Sequence, residues 1–464
     1  MNRIYFSLSI LMGFLLITHS ALAEQTRNVI SLEQAISRAQ QNDPWLHGSQ
    51  LNQKATEYRS DAANTWANPK VSLSMMNLPT NSWAFNQEAM TQFNIGVAQM
   101  FPRGDSLAIR EAQLNIQASQ FSFLREDRKA KLETLVSELW LDAYLAQQTI
   151  ALIESDRALF EQMSEVARAN YASTVGNTRQ QDVIRADLEI IQLEDRLLVQ
   201  QQALESAVAQ LNEFLHIYSR NQSGEAFNFD SQPLAFSVSN TLPKIALNSQ
   251  EITNMSTYKR SRMARVLSQH PAVRALEVKR KVSEKAIDLA KQQYKPQWGV
   301  NANYGYRDDM PSGQSRADFF SVGVSFDVPL FTKKRQDKEV AASVADAEAV
   351  KTEKLLLTKK MLSAVEKEIK QLNRLRERQA IYEQQLLIQT HEQAEASLTA
   401  YTNDDGDFAE VVRARIAVLN ARIASLQINV EALKTVSRIN YFFSDSHNNT
   451  YRSDQGLTLQ EGEK

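Results

Sequence analysis

The chain contains no cysteine, which excludes disulfides, thiolate metal sites, cysteine nucleophiles and a lipid anchor on an N-terminal cysteine. Glycine (13) and proline (10) are both scarce in 464 residues, and scarcity of both helix breakers points to long helices. Neither sign of charge dominates: 52 basic residues meet 54 acidic ones, so nothing suggests a nucleic-acid partner. There is no phosphate-binding Gly-rich loop ending in Lys-Ser or Lys-Thr, so the chain carries no nucleotide motor of its own. The histidines (His19, His47, His216, His270, His391, His447) form no i, i+4 pair, and no nucleophile, base and orienting group recur together. No enzyme activity, metal site or cofactor is expected. Met75 and Met76 read as packing or lipid-facing residues rather than soft-metal ligands.

Beyond residue 23 no stretch reaches the ~20 apolar residues of a membrane helix. The mature chain is therefore either soluble or an outer-membrane β-barrel protein. What precedes that point reads as a secretory signal: Arg3, an apolar run over 4–17, and a small-x-small cleavage site at Ala21 to Ala23. Residues 1–23 are assigned to a cleaved signal peptide.

The remainder is a tandem repeat. At a shift of 227 residues Pro44 falls on Pro271, Pro69 on Pro296, Gly96 on Gly323 and Pro102 on Pro329. At 228, Val183 to Ala186 falls on Val411 to Ala414; at 230, Tyr171 and Gly176 fall on Tyr401 and Gly406. This divides the chain into a first repeat (24–218), an inter-repeat segment (219–257), a second repeat (258–443) and a polar tail (444–464). Each repeat is expected to open with a helix (about 31–66 and 258–294), continue with two strands, and end in two long helices turning at Gly176 or Gly406.

Residues 105–175, 177–223, 333–400 and 407–455 lack Gly and Pro. A helix of ~65 residues would be about 100 Å long. Apolar residues recur at alternating steps of three and four, as in Val412, Ile416, Leu419, Ile423, Leu426, Val430 and Leu433, the spacing of coiled-coil packing. The short connections make each pair an antiparallel hairpin of about 100 Å. Strands are expected at 70–76, 92–100, 297–307 and 318–328, where apolar residues alternate with Gly, Ser and Asn. Their lengths suit tilted membrane-spanning strands. Two soluble hairpins with one face on a core would alternate in the same way. Four strands cannot close a barrel, so strands in the membrane would have to be shared: two chains give eight, three give twelve with an open bore.

This arrangement resembles the TolC-type outer-membrane efflux family over about 30–443. The carriers are the duplicated order of elements, Pro102-Arg103-Gly104 and Pro329-Leu330-Phe331 after the second strands, and the hairpin-tip patterns Tyr171 to Gly176 with Asp182 to Ala186, and Tyr401 to Gly406 with Glu410 to Ala414. The resemblance implies a mostly α fold with a small β part: helical hairpins forming an α-barrel, and four strands per chain in a shared transmembrane β-barrel. It implies a homotrimer in outer-membrane lipid that reaches into the periplasm. Its implied partners are a periplasmic adaptor (membrane fusion protein) and a proton-driven inner-membrane pump. The run Phe93 to Asp105 is similar to members that serve heavy-metal cation pumps. The function implied is a passive efflux duct; the alternative is a soluble periplasmic coiled-coil adaptor or scaffold.

Two candidate sites follow. Asp404, Asp405, Asp407 and Glu410 put four carboxylates within seven residues at the second tip. They read either as a solvated turn or as an acidic ring at a pore aperture. The resemblance places an acidic constriction position on Glu410 and a second on Arg413, where this chain departs from the pattern. Tyr171, Gly176, Asp182, Arg185, Tyr401 and Gly406 read as ordinary hairpin packing or, through the resemblance, as the tip latch and adaptor-docking residues.

Overall fold

A computed structural model describes residues 28–172, 179–216, 236–248, 260–403 and 406–444. The expected signal peptide and nearly all of the polar tail lie outside these residues, as does most of the inter-repeat segment.

In chain order the elements are β1 (Asn28–Ile30), α1 (Leu32–Asn42), α2 (Pro44–Ala63), β2 (Lys70–Met76), β3 (Gln92–Met100), α3 (Ser106–Ala172), α4 (Gln180–Leu215), β4 (Phe236–Val238), α5 (Arg260–Leu267), α6 (Pro271–Gln292), β5 (Trp298–Tyr306), β6 (Phe319–Phe326), α7 (Gln336–Ile381), α8 (Leu387–Thr402) and α9 (Phe408–Phe442). The protein is mostly helical, with one four-stranded and one two-stranded sheet among the described residues. Among the described residues no helix is long and apolar enough to cross a membrane.

Three expectations need correction. The opening helices are each two helices, because Pro44 and Pro271 are helix starts. Asp43 caps α2 by accepting from the Trp45 amide (3.1 Å), and His270 Nδ1 caps α6 by accepting from the Ala272 amide (3.2 Å). Proline at the first helical position costs nothing, since its missing N–H would have no partner there. The expected helix over 333–400 begins only at Gln336 and is interrupted by a π turn at Tyr382–Leu386. The hairpins are also lopsided. Helix α3 has 67 residues and α4 only 36, so their lengths are about 100 and 54 Å.

The shorter helices share the length of the longer ones. Near the sheet, α3 meets α2 through Ser60 Oγ, which donates to Glu111 O (2.9 Å). There it also meets α6, where Gln113 and Gln120 donate to Val282 O and Ala275 O. Toward its far end α3 packs on α4, with Arg157 bonded to Glu194 (2.9 Å). The second half repeats this: α6 lies on α7 through Lys279–Glu353 and Lys354–Glu277 (2.7 Å each), and α8 lies on α9 through Arg415–Glu395 (2.9 Å).

Helix α9 sits between α3 and α7. Its polar face pairs Lys434 with Asp142, and Arg438 with Glu138 and Glu431. Its Asn440 side chain donates to Ala246 O (2.8 Å), tethering the short segment after β4. Tyr441 donates to Asp127 (2.9 Å), and its phenol is held protonated by burial first and the Asp127 charge second. Around the middle of α3, Val136, Trp140, Leu141 and Tyr144 form a core with Leu211 and Leu215 of α4 and with Ile30, Phe236 and Val238 of the parallel β1–β4 pair. Trp140 Nε1 donates to Ile30 O (3.0 Å), so its polar atom is satisfied inside that core.

The four-stranded sheet runs β2-β3-β5-β6, antiparallel throughout, with β2 and β6 as open edges. The strand bounds lie within two residues of those expected. On one face Val71, Leu73, Ile95, Val97, Val300, Tyr304, Val322, Val324 and Phe326 are exposed. The other face carries Ser72, Asn94, Gly96, Asn301, Asn303, Ser321 and Gly323. Gly96 leaves space that the Asn303 and Ser72 side chains occupy: a Cβ there would displace Asn303 Oδ1 and Ser72 Oγ.

Two outcomes follow. Trp140→Ala should lower unfolding stability by about 3–5 kcal/mol in urea titrations followed by circular dichroism. The Glu277 carboxyl is held at about 2, from an ordinary 4.5, by the Arg280 hydrogen bonds, with burial opposing and Lys354 adding. Its stabilisation is therefore complete above about pH 4.5 and is lost as the pH falls toward about 2. Glu277→Gln should flatten the acid limb of the stability profile in that window.

Candidate functional site

The ends of the two hairpins converge. Ala167 of α3, Ala186 of α4 and Phe408, Val412 and Leu419 of α9 share one apolar cluster with Ile153 and Phe160, and the Tyr401 side chain packs against it. Tyr401 meets Phe408 edge-on, ring centroids 5.6 Å apart.

At the second tip, Asp404 and Asp405 lie outside the described residues. Asp407 caps α9, its Oδ1 accepting from the Ala409 amide (3.2 Å). Glu410 stands in the first turn of α9, where the helix dipole favours a carboxylate, and pairs with Arg413 (2.9 Å). Both side chains of that pair are largely exposed. Of the described acids, one is thus committed to a cap and one is neutralised by the residue at which the family pattern fails. Gly406 has no room for a side chain: a Cβ would lie 2.6 Å from the Tyr401 backbone nitrogen.

At the first tip, Gly176 lies outside the described residues. Asp182 is buried in the first turn of α4; its Oδ2 accepts from the Arg179 amide (2.9 Å), and its Oδ1 has no hydrogen-bond partner. Tyr171 is exposed. Tyr171 and Arg185 make no hydrogen bond or ion pair among the described residues, so within one chain these groups do not close on one another. A neighbouring bond that no local pattern reveals does span the hairpin. Asp187 accepts from Ser164 (2.9 Å) and from both contacts of Arg168 (2.8 and 2.9 Å), and the Arg168 hydrogen bond leads in lowering its pKa.

Two clusters at the ends of the sheet also escaped sequence reading, because their partners are about 190–230 residues apart. At the helix-side end, Arg103 pairs with Asp327 and donates to Lys295 O (3.0 Å), while Lys295 pairs with Asp105 (2.9 Å). The motif residues equivalent to Arg103 and Gly104, Leu330 and Phe331, are instead exposed. At the other end, Arg307 lies over the Phe319 ring (3.9 Å) and donates to Ala317 O and Ala89 O. Arg316 donates to Glu88 O (2.9 Å) and Asn86 O (3.0 Å). These two arginines bind the β5–β6 loop to the β2–β3 loop. Among the described residues no group of three or more acidic or histidine side chains is placed to hold a metal ion. His270, a helix cap, is bonded to Tyr441 O (3.0 Å).

Comparison with known proteins agrees with this architecture. Residues 263–439 match the model of the family described as outer membrane efflux protein. No curated protein sequence matches the chain. Among solved structures, CusC is 14% identical, covering 89% of this chain and 91% of that one, with a TM-score of 0.67. VceC of Vibrio cholerae is 13% identical over 89% and 96% (TM-score 0.67), and MtrE of Neisseria gonorrhoeae is 12% identical over 89% and 88% (TM-score 0.67). The fold over nearly the whole chain is thus that of outer-membrane channel proteins. The family match lies within the second half of the chain, and the likeness to the solved structures extends the same fold over nearly all of it.

The cap at Asp407 separates folding from charge. Asp407→Ala should cost about 1 kcal/mol in chemical unfolding, whereas Asp407→Asn, also a good cap, should cost only a few tenths. Gly406→Ala should accelerate limited proteolysis at the tip.

Proposed function

We propose that this protein is the outer-membrane channel subunit of a tripartite efflux system, a passive export duct from periplasm to exterior. The observation that carries the reading is the open four-stranded sheet, apolar on one face and Gly, Ser and Asn on the other, joined directly to helices of up to 67 residues. In lipid, unpaired edge N–H and C=O groups cost several kcal/mol each, so the edges must be paired by other copies. Three copies give twelve strands and a water-filled bore lined by the small polar face. The helices then continue the bore into the periplasm, where the hairpin tips meet an adaptor and an inner-membrane pump that supplies the energy.

In this reading the tips form the gate. Asp404, Asp405, Asp407 and Glu410, repeated by symmetry, favour cations, and the Glu410–Arg413 pair moderates that preference. Tyr171, Asp182, Arg185 and Tyr401 latch tips of neighbouring copies, a reading supported by the exposure of Tyr171 and by its having no hydrogen bond among the described residues. The substrates are heavy-metal cations or small toxic compounds. The metal reading is supported by the acidic tip and by the run Phe93 to Asp105.

Fractionation tests the core of the proposal: the protein should be recovered with outer membranes, and recovery as a soluble periplasmic protein would sink it. In planar bilayers, Asp407→Asn and Glu410→Gln should each reduce cation preference, the second more strongly because it leaves Arg413 unpaired. Unchanged selectivity in both would remove the acidic-ring assignment. Tyr401→Phe and Asp182→Ala should raise single-channel conductance; if neither does, there is no latch at these residues.

A further inference from the structure

Just beyond β6 the chain changes character abruptly. Val328, Leu330 and Phe331 are 57%, 73% and 90% exposed, and Lys333, Lys334 and Arg335, also exposed, follow at once. The apolar part continues the apolar face of the sheet, whose helix-side end carries Trp298 against Phe326, ring centroids 4.8 Å apart. The basic part leads into α7 through a single 3-10 turn over Thr332–Lys334. At the rise of such a turn, the step from Phe331 to Arg335 spans about 8 Å.

The positive charge here is unanswered. Among the described residues, Lys333, Lys334, Arg335 and the nearby Lys338 make no ion pair and no side-chain hydrogen bond. Two acids stand close by in the chain: Asp337 accepts from the Tyr294 hydroxyl (2.7 Å), and Glu339 is exposed. Four basic residues against two acidic ones leave 333–339 net positive. The first half has no such cluster. At the shift of 227 its residues are Ser106, Leu107 and Ala108, and the basic residues at that corner, Arg103 and Lys295, are already paired with Asp327 and Asp105. Neither the duplication nor the packing within the chain accounts for the basic step.

We infer that this step is a binding surface for anionic phospholipid in the leaflet on the helix side of the membrane, an inference that rests on the membrane-spanning reading of the sheet. Whatever covers the step must be apolar at one end and negatively charged at the other, over that short span. An anionic phospholipid meets both conditions. Its acyl chains lie against Leu330 and Phe331, and its phosphate meets Lys333, Lys334 and Arg335, whose long stems carry their charge out of the apolar layer. The head-group layer of one leaflet is about 6 Å deep, so the spacing of the two parts fits it. A zwitterionic head group brings a phosphate but no net charge, and gains little from a cluster of cations.

Tryptophan fluorescence tests it. Trp66 and Trp298 are exposed at this end of the sheet, and Trp83, exposed in the loop at the other end, is replaced by phenylalanine. The full chain is reconstituted in phosphatidylcholine vesicles in which either phosphatidylcholine or added phosphatidylglycerol carries brominated acyl chains. Quenching then gives the relative affinity for the two lipids. Phosphatidylglycerol should be favoured about fivefold or more, and less so at high salt. Lys333→Gln with Lys334→Gln and Arg335→Gln should bring the two lipids to parity. Lys333→Arg with Lys334→Arg keeps the charge and should keep the preference. So should Lys359→Gln with Lys360→Gln and Lys370→Gln, which removes the same charge about 35 Å or more along α7. Equal affinity for the two lipids with the cluster intact overturns the inference and leaves the membrane-spanning sheet standing. So does a preference that survives the triple substitution, is lost with the charge-keeping pair, or falls equally in the α7 control. Absence of quenching by either lipid sinks both.

Discussion

A helix about 100 Å long needs lateral support along all of its length, and none of the elements packed on α3 among the described residues is long enough to give it alone. Helix α3 resolves this by taking partners in series. Near the sheet it lies against α2 and α6, at its middle against the β1–β4 pair and α9, and toward the tip against α4. Most other features follow. The helix starts at Pro44 and Pro271 exist because α2 and α6 must begin where α4 and α9 leave off. The belt of Lys434, Arg438, Asn440 and Tyr441 marks the level at which this exchange of partners occurs.

The same constraint acts on the sheet in another form. Helical backbone satisfies its own hydrogen bonds, but a strand depends on neighbours, and β2 and β6 each have one too few. The helices can stand as an isolated rod with some apolar surface in water. The sheet cannot stand alone in hydrocarbon. In the proposed channel, assembly is thus demanded by the smaller part of the molecule, while its length is set by the larger part.

Much of this was legible in the sequence because the signals are periodic or paired. Steps of three and four gave the long helices, strict alternation gave the strands within two residues, and constant offsets gave the duplication. What escaped was set by distance along the chain or by an ambiguous residue. A proline between two apolar stretches marks a stop and a start equally well, so the breaks at Asp43 and His270 were read as continuous helix. The shortness of α4 and α9 was hidden because their flanks also lack glycine and proline. At the tips, the acidic cluster was visible as composition, but that Asp407 is a helix cap and Glu410 is held by Arg413 depends on side-chain geometry. The Arg103–Asp327 and Arg316–Glu88 contacts join residues more than 220 positions apart, beyond any local pattern.

The seam at the base of the sheet differs between the two halves. Where the internal seam has Arg103 matched to Asp327, the free side shows Leu330 and Phe331, both exposed. The internal seam has its charges already answered within one chain, by Arg103 with Asp327 and Lys295 with Asp105. Leu330 and Phe331 themselves carry no charge, and the nearest basic residues, Lys333, Lys334 and Arg335, come only after them in the chain. In the proposed channel this difference sets an order in time: each chain closes on itself first, and the joint beside Leu330 and Phe331 is made last.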